Sequence, residues 1–377
     1  MAQRFGAVNL GQGFPDFDGP PEVREAAAVH LRDAPQQYAP SVGVPELRHA
    51  VAAHAERFYR QGVNPETEVL VTCGATEALM DAVLAFTGGG DEVVVFEPSY
   101  DSYAAAVAIS GASLRPVRLH SPSGEHATWW FRPEELEAAF SRKTRLVLLN
   151  TPHNPTGKVF TRRELEHVAD LAARHDAIVV CDEVYEHLVY PPAQHVRFAT
   201  LPGARDRTLT VSSAGKTLAL TGWKVGWAIG PERLLEPVKR LHAYVTFSTP
   251  AALQVAAGVG LGLPDAYFRG LVAEYTPRRD ICLQALKDAG FAAAVPEGSY
   301  FIVADISVAG CETDVAFCEF LTEHVGVAAI PPSVFYASQP PQTLARFAFC
   351  KELATLREAG RRLGGWRAAL AVSKKVR

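Results

Sequence analysis

Residues 207–224 read RTLTVSSAGKTLALTGWK. Arg207 to Ser213 has the content of a short β-strand, and it runs out into a Ser/Gly turn that carries Lys216, with Lys224 following. These are two of only nine lysines in a chain that otherwise uses arginine for positive charge. A lysine at the mouth of a strand is a candidate nucleophilic amine once something lowers its pKa or captures it in an imine. The serines and the second lysine beside it suit an anion. Three plainer readings compete. A nucleotide-binding phosphate loop needs a glycine five residues before its Gly-Lys pair, and position 210 is Thr210, so that reading fails. Two ordinary solvated lysines and a purely structural turn both stay open on this segment alone, and the other strand ends must decide.

Working outward, 377 residues are too many for one ordinary core and suggest about two domains. A hydrophobic content of 48% with 21% charged residues describes a globular chain. The net charge of −4, with no basic run, argues against nucleic acid as a partner. Six scattered cysteines form no C-x-x-C pair and no metal-ligand spacing with the histidines, so no metal is expected and a reducing compartment fits. The opening MAQRFGAVNLGQGF has neither a signal-peptide core nor a transit pattern. No window approaches the ~18 apolar residues of a membrane span. A cytoplasmic protein with no membrane partner is expected.

The centre of the chain alternates short apolar runs with amphipathic stretches. Strands are expected at Glu68–Thr72, Glu92–Phe96, Arg145–Asn150, Ala177–Cys181, Thr208–Val211 and Gly226–Gly230, with helices over Ala78–Phe86 and Arg162–His175. Continuous β-branched runs mean strands buried on both faces, hence an α/β fold with a mostly parallel sheet covered by helices. Ligands bind such sheets beyond the carboxyl ends of the strands. Gly74, Tyr100, Asn154, Asp182 and Lys216 all fall there. From Asp265 to Ala289 the pattern is helical. After it come shorter strands (Ser299–Ile306, Ala345–Cys350) and a helix over Leu353–Ala369, which read as a smaller α+β domain. The expected division is an N-terminal arm (1–36) packing on the small domain or on a partner subunit, a large domain (37–274) and a small domain (275–377).

Each of these residues has two readings. Asp182 follows four apolar residues; it is a strand-end cap, or it pairs with a protonated pyridine nitrogen and keeps that ring an electron sink. Tyr185 is a packed tyrosine, or it reaches the phenolic oxygen of the same ring. Asn154, in His153-Asn-Pro-Thr-Gly157, is a turn former or a donor to that oxygen. Gly74-Ala75-Thr76, between a strand and a helix, offers free N–H groups and the positive helix end to a phosphate. Tyr100 packs at an interface or stacks on a planar ring. Arg346 interrupts an apolar strand, where a guanidinium is costly unless paired; its partner is an internal acid or a substrate carboxylate. Together they fit a site for pyridoxal phosphate anchored on Lys216.

The strings Asn9-Leu-Gly-Gln-Gly-Phe-Pro-Asp-Phe17, Asn150-Thr-Pro-His-Asn-Pro-Thr-Gly-Lys158, Asp182-Glu-Val-Tyr-Glu186, Ser213-Ala-Gly-Lys216 and Gly222-Trp-Lys-Val-Gly-Trp227 occur in that order. In them the chain resembles the class I/II pyridoxal-phosphate-dependent aminotransferases of the aspartate aminotransferase fold. It is most similar to the kynurenine aminotransferase, glutamine transaminase K and methionine aminotransferase group, and the likeness covers almost the whole chain. The resemblance implies Lys216 as the Schiff-base lysine and proton shuttle, Asp182 on the pyridine nitrogen, and Tyr185 with Asn154 on the phenolic oxygen. It implies that Ala75 and Thr76, next to Gly74, hold the phosphate with Ser213 and Lys224. Tyr100 would stack on the ring, and Gly13 and Arg346, with Asn154, would take the substrate carboxylate. Tyr38 would cross to the neighbouring subunit's phosphate, so a homodimer is implied.

The implied activity is ping-pong transfer of the amino group of a large neutral or aromatic amino acid, such as glutamine, methionine, phenylalanine or kynurenine, to a 2-oxo acid. Kynurenine-active relatives tend to carry Phe-His before the Cys-Pro or Thr-Pro. Here Phe247-Ser248-Thr249-Pro250 lacks the histidine, which weighs against kynurenine as the preferred donor. A carbon–sulfur β-lyase acting on cysteine conjugates is the alternative on the same cofactor. A pyridoxal-binding regulatory module is the distant one; it would want a DNA-binding domain ahead of Gly11.

Overall fold

The structure is a computed structural model in which residues 1–376 are described. Twelve strands occur in it: β1 (Val8–Asn9), β2 (Val69–Cys73), β3 (Glu92–Glu97), β4 (Ser113–Arg118), β5 (Thr144–Asn150), β6 (Ile178–Asp182), β7 (Thr208–Ser213), β8 (Val225–Ile229), β9 (Ala292–Ala293), β10 (Phe301–Asp305), β11 (Val327–Ala328) and β12 (Leu344–Ala348). Seven of them form the central sheet, in the order β2-β8-β7-β6-β5-β3-β4. All its neighbours run parallel except β8, which is antiparallel to β2 and β7. Alternate residues of one strand serve opposite cores. Val94 and Phe96 pack with Leu149, Leu165 and Val168, while Val93 and Val95 pack with Leu79, Tyr103 and Leu235. Two dry faces are why these strands read as unbroken apolar runs.

The two-residue strands β1, β9 and β11 have no counterpart among the sequence expectations, and within the central sheet one strand has none. β4 reads SLRPVR and lies at the sheet edge, where Pro116 leaves no ladder hydrogen bond unmade; its exposed, Arg- and Pro-containing pattern hides it. A second difference lies near the C-terminus. The expected helix Leu353–Ala369 is two helices, Leu353–Leu363 and Trp366–Val376, because Gly364-Gly365 ends the first.

The 24-residue helix Asp265–Asp288 runs unbroken past residue 274 and leads into an antiparallel sheet of order β12-β10-β9. Tyr275, Leu286, Phe291, Phe347, Leu356 and Trp366 form the core there. The N-terminal segment divides. β1 pairs in parallel with β11, and Asp16 accepts hydrogen bonds from the Glu352 amide and the Thr355 hydroxyl. A helix that the Gly/Pro-rich composition concealed, Pro21–Asp33, instead places Val23 and Ala27 in a core with Leu218, Trp227 and Ala257 beside the central sheet. The stretch between those anchors, Gly11–Phe17, is thereby carried across the strand ends.

Candidate active site

Beyond the carboxyl ends of β2, β5, β6 and β7 lies a pocket whose lining includes Ala75, Thr76, Tyr100, Asn154, Tyr185 and Lys216. β7 ends in a one-turn helix, Ala214–Thr217, that turns Lys216 back over the sheet. The Lys216 Nζ donates to the Tyr300 hydroxyl at 2.8 Å and lies 3.5 Å from the Gly13 carbonyl oxygen. Burial lowers its pKa from 10.5 to about 8, because charging an amine in a dry pocket is costly.

Asp182 ends β6. Its Oδ2 accepts from the Tyr103 hydroxyl at 2.7 Å and its Oδ1 from the Val184 amide at 3.2 Å. Burial raises its pKa from 3.8 to about 6 despite these bonds and the charge of Lys216. No described cation forms an ion pair with this carboxylate. Its position is fixed from the side by Asn150, whose Nδ2 donates to the Asp182 carbonyl at 2.9 Å and whose Oδ1 accepts from the Asn154 amide at 2.7 Å. Tyr185 stands edge-on to Tyr300, with ring centroids 5.1 Å apart, and burial pushes its phenol upward.

The opposite wall is the start of the helix Gly74–Phe86. Gly74 has φ +74°, and a Cβ there would stand 3.1 Å from the Lys224 Nζ, so the lysine folds closely over the first turn. Ala75, Thr76 and Ser213 line the same end of the pocket. Helix-terminal amides, a hydroxyl and an ammonium together make an anion cradle. Tyr100 precedes the helix Asp101–Ser110 and meets Tyr103 edge-on at 5.7 Å.

At the rim, Arg346 comes from β12 and is 7% exposed. Its Nη1 donates to Asn154 Oδ1 at 3.0 Å and its Nη2 to the Gly11 carbonyl at 2.9 Å, while its Nε is buried without a partner. No described carboxylate forms an ion pair with it. Gly13 is close-packed: a Cβ would approach Phe301 to 2.5 Å, and its carbonyl accepts from Tyr300 at 2.6 Å. The structure therefore brings every expected site residue together except Tyr38. That side chain is 85% exposed and packs edge-on against Phe247 at 5.5 Å.

Tyr300, Tyr103 and Asn150 escaped the sequence reading. Tyr300 sits in Gly298-Ser-Tyr-Phe at the head of β10, where an aromatic reads as core. Tyr103 lies one helical turn after Tyr100, a spacing that signals a shared face but not a carboxylate partner.

A buried lysine and a buried, cation-poor aspartate, facing an anion cradle across the strand ends of an α/β sheet, define the site of an enzyme with an anionic cofactor. The residues fit pyridoxal 5′-phosphate: an acid for its ring nitrogen, a cradle for its phosphate and an amine for its aldehyde. The sequence profile of the family described as Aminotransferase class I and II matches residues 6–363. The methionine aminotransferase of Escherichia coli (strain K12) is 40% identical over 363 residues, covering 96% of this chain and 93% of that one. Its solved structure superposes with a TM-score of 0.91. The structure of N-succinyldiaminopimelate aminotransferase from Mycobacterium tuberculosis gives a TM-score of 0.93 at 43% identity, covering 97% of this chain and 94% of that one. The kynurenine–oxoglutarate transaminase of Dictyostelium discoideum is 37% identical over 393 residues, covering 95% of this chain and 90% of that one. The chain belongs to the class I and II aminotransferases and is a pyridoxal-phosphate-dependent aminotransferase.

Proposed function

We propose that the enzyme moves the amino group of a large neutral or aromatic amino acid, with methionine, glutamine and phenylalanine as leading donors, to a 2-oxo acid in a ping-pong cycle. The observation that carries this is Arg346. The pocket lining includes Lys216 and Lys224 but no arginine, and Arg346 reaches it through Asn154. One guanidinium takes one carboxylate, so a donor with a neutral side chain leaves no second anion unmatched.

The geometry supports one set of residue roles. Ala75, Thr76, Ser213 and Lys224 would hold the phosphate, Asp182 the ring nitrogen, and Tyr185 with Asn154 the phenolic oxygen, with Tyr100 beside the ring. Bound there, the cofactor supplies an aldehyde for the amino group and a ring that accepts the electron pair left by the α-proton. Lys216 Nζ, its pKa lowered by burial, takes that proton and returns it. Tyr103 and the Val184 amide hold the Asp182 carboxylate in place, and Arg346 with the Gly11–Gly13 backbone orients the substrate carboxylate.

The domain division at about residues 36 and 274 and a homodimer belong to the same reading. Tyr38, Tyr244 and Phe247 are exposed aromatics close in sequence or space, the kind of surface a second copy covers. A cytoplasmic site is supported by the free thiols of Cys73, Cys181, Cys282, Cys318 and Cys350, and no described helix is long and apolar enough to cross a membrane.

The test is a donor panel. The purified holoenzyme is given phenylpyruvate with, in turn, methionine, glutamine, kynurenine, aspartate and N-succinyldiaminopimelate, and phenylalanine is paired with the 2-oxo acid of methionine, because phenylalanine and phenylpyruvate would only exchange. Methionine, glutamine or phenylalanine is expected to give the highest kcat/KM. A clear preference for either acidic donor would overturn the substrate assignment, and pyruvate with ammonia from cysteine conjugates would favour the lyase.

A further inference from the structure

Behind the anion cradle, away from the pocket, three titratable side chains meet in the dry interior. Glu77 and Asp81 stand one turn apart on the helix Gly74–Phe86, and His242 faces them from the helix Glu232–Val245. They are 8%, 0% and 0% exposed. One ligand atom of each lies within 4.8 Å of the others. Glu77 is well supplied: Oε1 contacts His242 Nδ1 at 2.9 Å and accepts from the Thr246 hydroxyl, and Oε2 accepts from the Cys73 amide. Asp81 is not supplied at all. Both of its carboxylate oxygens are buried with no hydrogen-bond partner.

A protonated His242 supplies one counter-charge, but it is already paired with Glu77, and a second carboxylate in a dry site is left without one. A proton on Asp81 is one remedy, but it leaves a buried O–H with no acceptor and a second oxygen with no donor. A cation uses both orphaned oxygens. The imidazole is already arranged for it. His242 Nε2 donates to the Ser41 carbonyl at 2.9 Å, the kind of bond that orients a ligating histidine, and a metal would take the place of the proton through which Nδ1 now meets Glu77. The 2.9 Å between Nδ1 and Glu77 Oε1 also equals what two ligands at about 2.1 Å from one metal, at a right angle, would show (about 3 Å).

We propose that Glu77, Asp81 and His242 bind one divalent transition-metal cation. Two carboxylates and a neutral imidazole make the loaded site neutral; the imidazole favours zinc over magnesium and calcium, and the two carboxylates also suit manganese. The cation would pin the first turns of the helix Gly74–Phe86 to the helix Glu232–Val245, and through His242 to the Ser41 loop. The other histidine–carboxylate cluster, His54, Glu186 and His187, is a poorer candidate: Arg197 already neutralises Glu186, and a second cation there would meet a fixed positive charge. None of this depends on the donor specificity proposed above.

The holoenzyme, freed of loosely bound metal by gel filtration, would be assayed by elemental analysis and then titrated with ZnCl2 and with MnCl2 while its thermal midpoint is followed. Expected are about one equivalent of zinc or manganese per chain, carried from expression or taken up on titration, and a midpoint raised by several degrees. Asp81→Ala should abolish uptake and His54→Gln should leave it intact. A wild-type enzyme that binds neither metal would overturn the proposal, with no variant needed. So would binding that survives Asp81→Ala, or that is lost in His54→Gln.

Discussion

Two buried arginines show how this molecule separates structure from chemistry. Arg197 is 2% exposed and pairs with Glu183 at 3.0 Å and with Glu186; His195 joins the cluster through Glu183 at 2.9 Å. Arg346 is 7% exposed and has two carbonyl oxygens, two aromatic rings and an orphaned Nε, but no carboxylate. Both give up hydration. Only the first is repaid from within the chain, so only the second has an open valence for something that arrives from outside. The same contrast holds among the acids after β6. Arg197 and other neighbours hold Glu186 well below the ordinary carboxylate range, while burial raises Asp182, four residues earlier and without an ion-pair partner, to about 6. Completed pairs hold the fold, and incomplete ones mark the site.

The sharpest way to break this contrast is to remove the open amine. Lys216→Ala should lower transamination by about 10⁴-fold or more, with the fold intact, since the other amine of the pocket, Lys224, lies over Gly74 at its anion-binding end. Single-turnover assays of the loaded enzyme would show it, and retained steady-state activity would sink the assignment of Lys216.

Next in size is Asp182→Asn, which keeps the shape and removes the charge. A loss of about 10³-fold in kcat is expected, with KM changed little, because the lost interaction serves the transition state more than substrate binding. On the completed side, Arg197→Met should cost about 3–5 kcal/mol of stability by leaving Glu183 and Glu186 buried and unpaired. The kcat per folded enzyme should hold. Arg346→Gln should do the reverse: little change in melting, and a kcat/KM lower by about 10- to 100-fold, mostly through KM. Urea titration beside initial rates distinguishes the two arginines. Equal behaviour would end the comparison.

How far the sequence carries depends on the same distinction. Lys216, Asp182 and Arg346 are legible because each is an expensive group in an apolar context, and the strand-end rule gathers the first two at one edge. Unbroken runs such as Glu92-Val-Val-Val-Phe-Glu97 announce a two-sided sheet. β4 is illegible because an edge strand tolerates Pro116 and charge, so neither periodicity nor composition marks it. Tyr300 and Tyr103 are illegible for a different reason. A tyrosine is cheap to bury, and its hydroxyl becomes functional only through what the fold sets beside it: Lys216 for one, Asp182 for the other. The Glu77–Asp81–His242 cluster is of that kind too, since the histidine lies far along the chain from the two acids.

The smallest expected effect runs against the loss of activity in Asp182→Asn. In the cofactor-free protein the Asp182 carboxyl titrates near 6 instead of 3.8. Below 3.8 both folded and unfolded chains hold the proton, so the group has no effect on stability. Between 3.8 and 6 the folded chain retains a proton that the unfolded chain has released, so folding loses stability as pH rises. Above 6 the loss is complete and constant, on the order of 3 kcal/mol for a buried group. Asp182→Asn escapes this loss, and its cofactor-free form should melt higher than wild type at pH 7, with the gap closing toward pH 4. Loading with pyridoxal phosphate should invert the order, because the wild-type carboxylate then gains the ring nitrogen it lacks. Thermal melts of both proteins at pH 4, 5.5 and 7, with and without cofactor, measure it. A variant that melts lower than wild type in every condition would place Asp182 with Glu186, among the completed pairs.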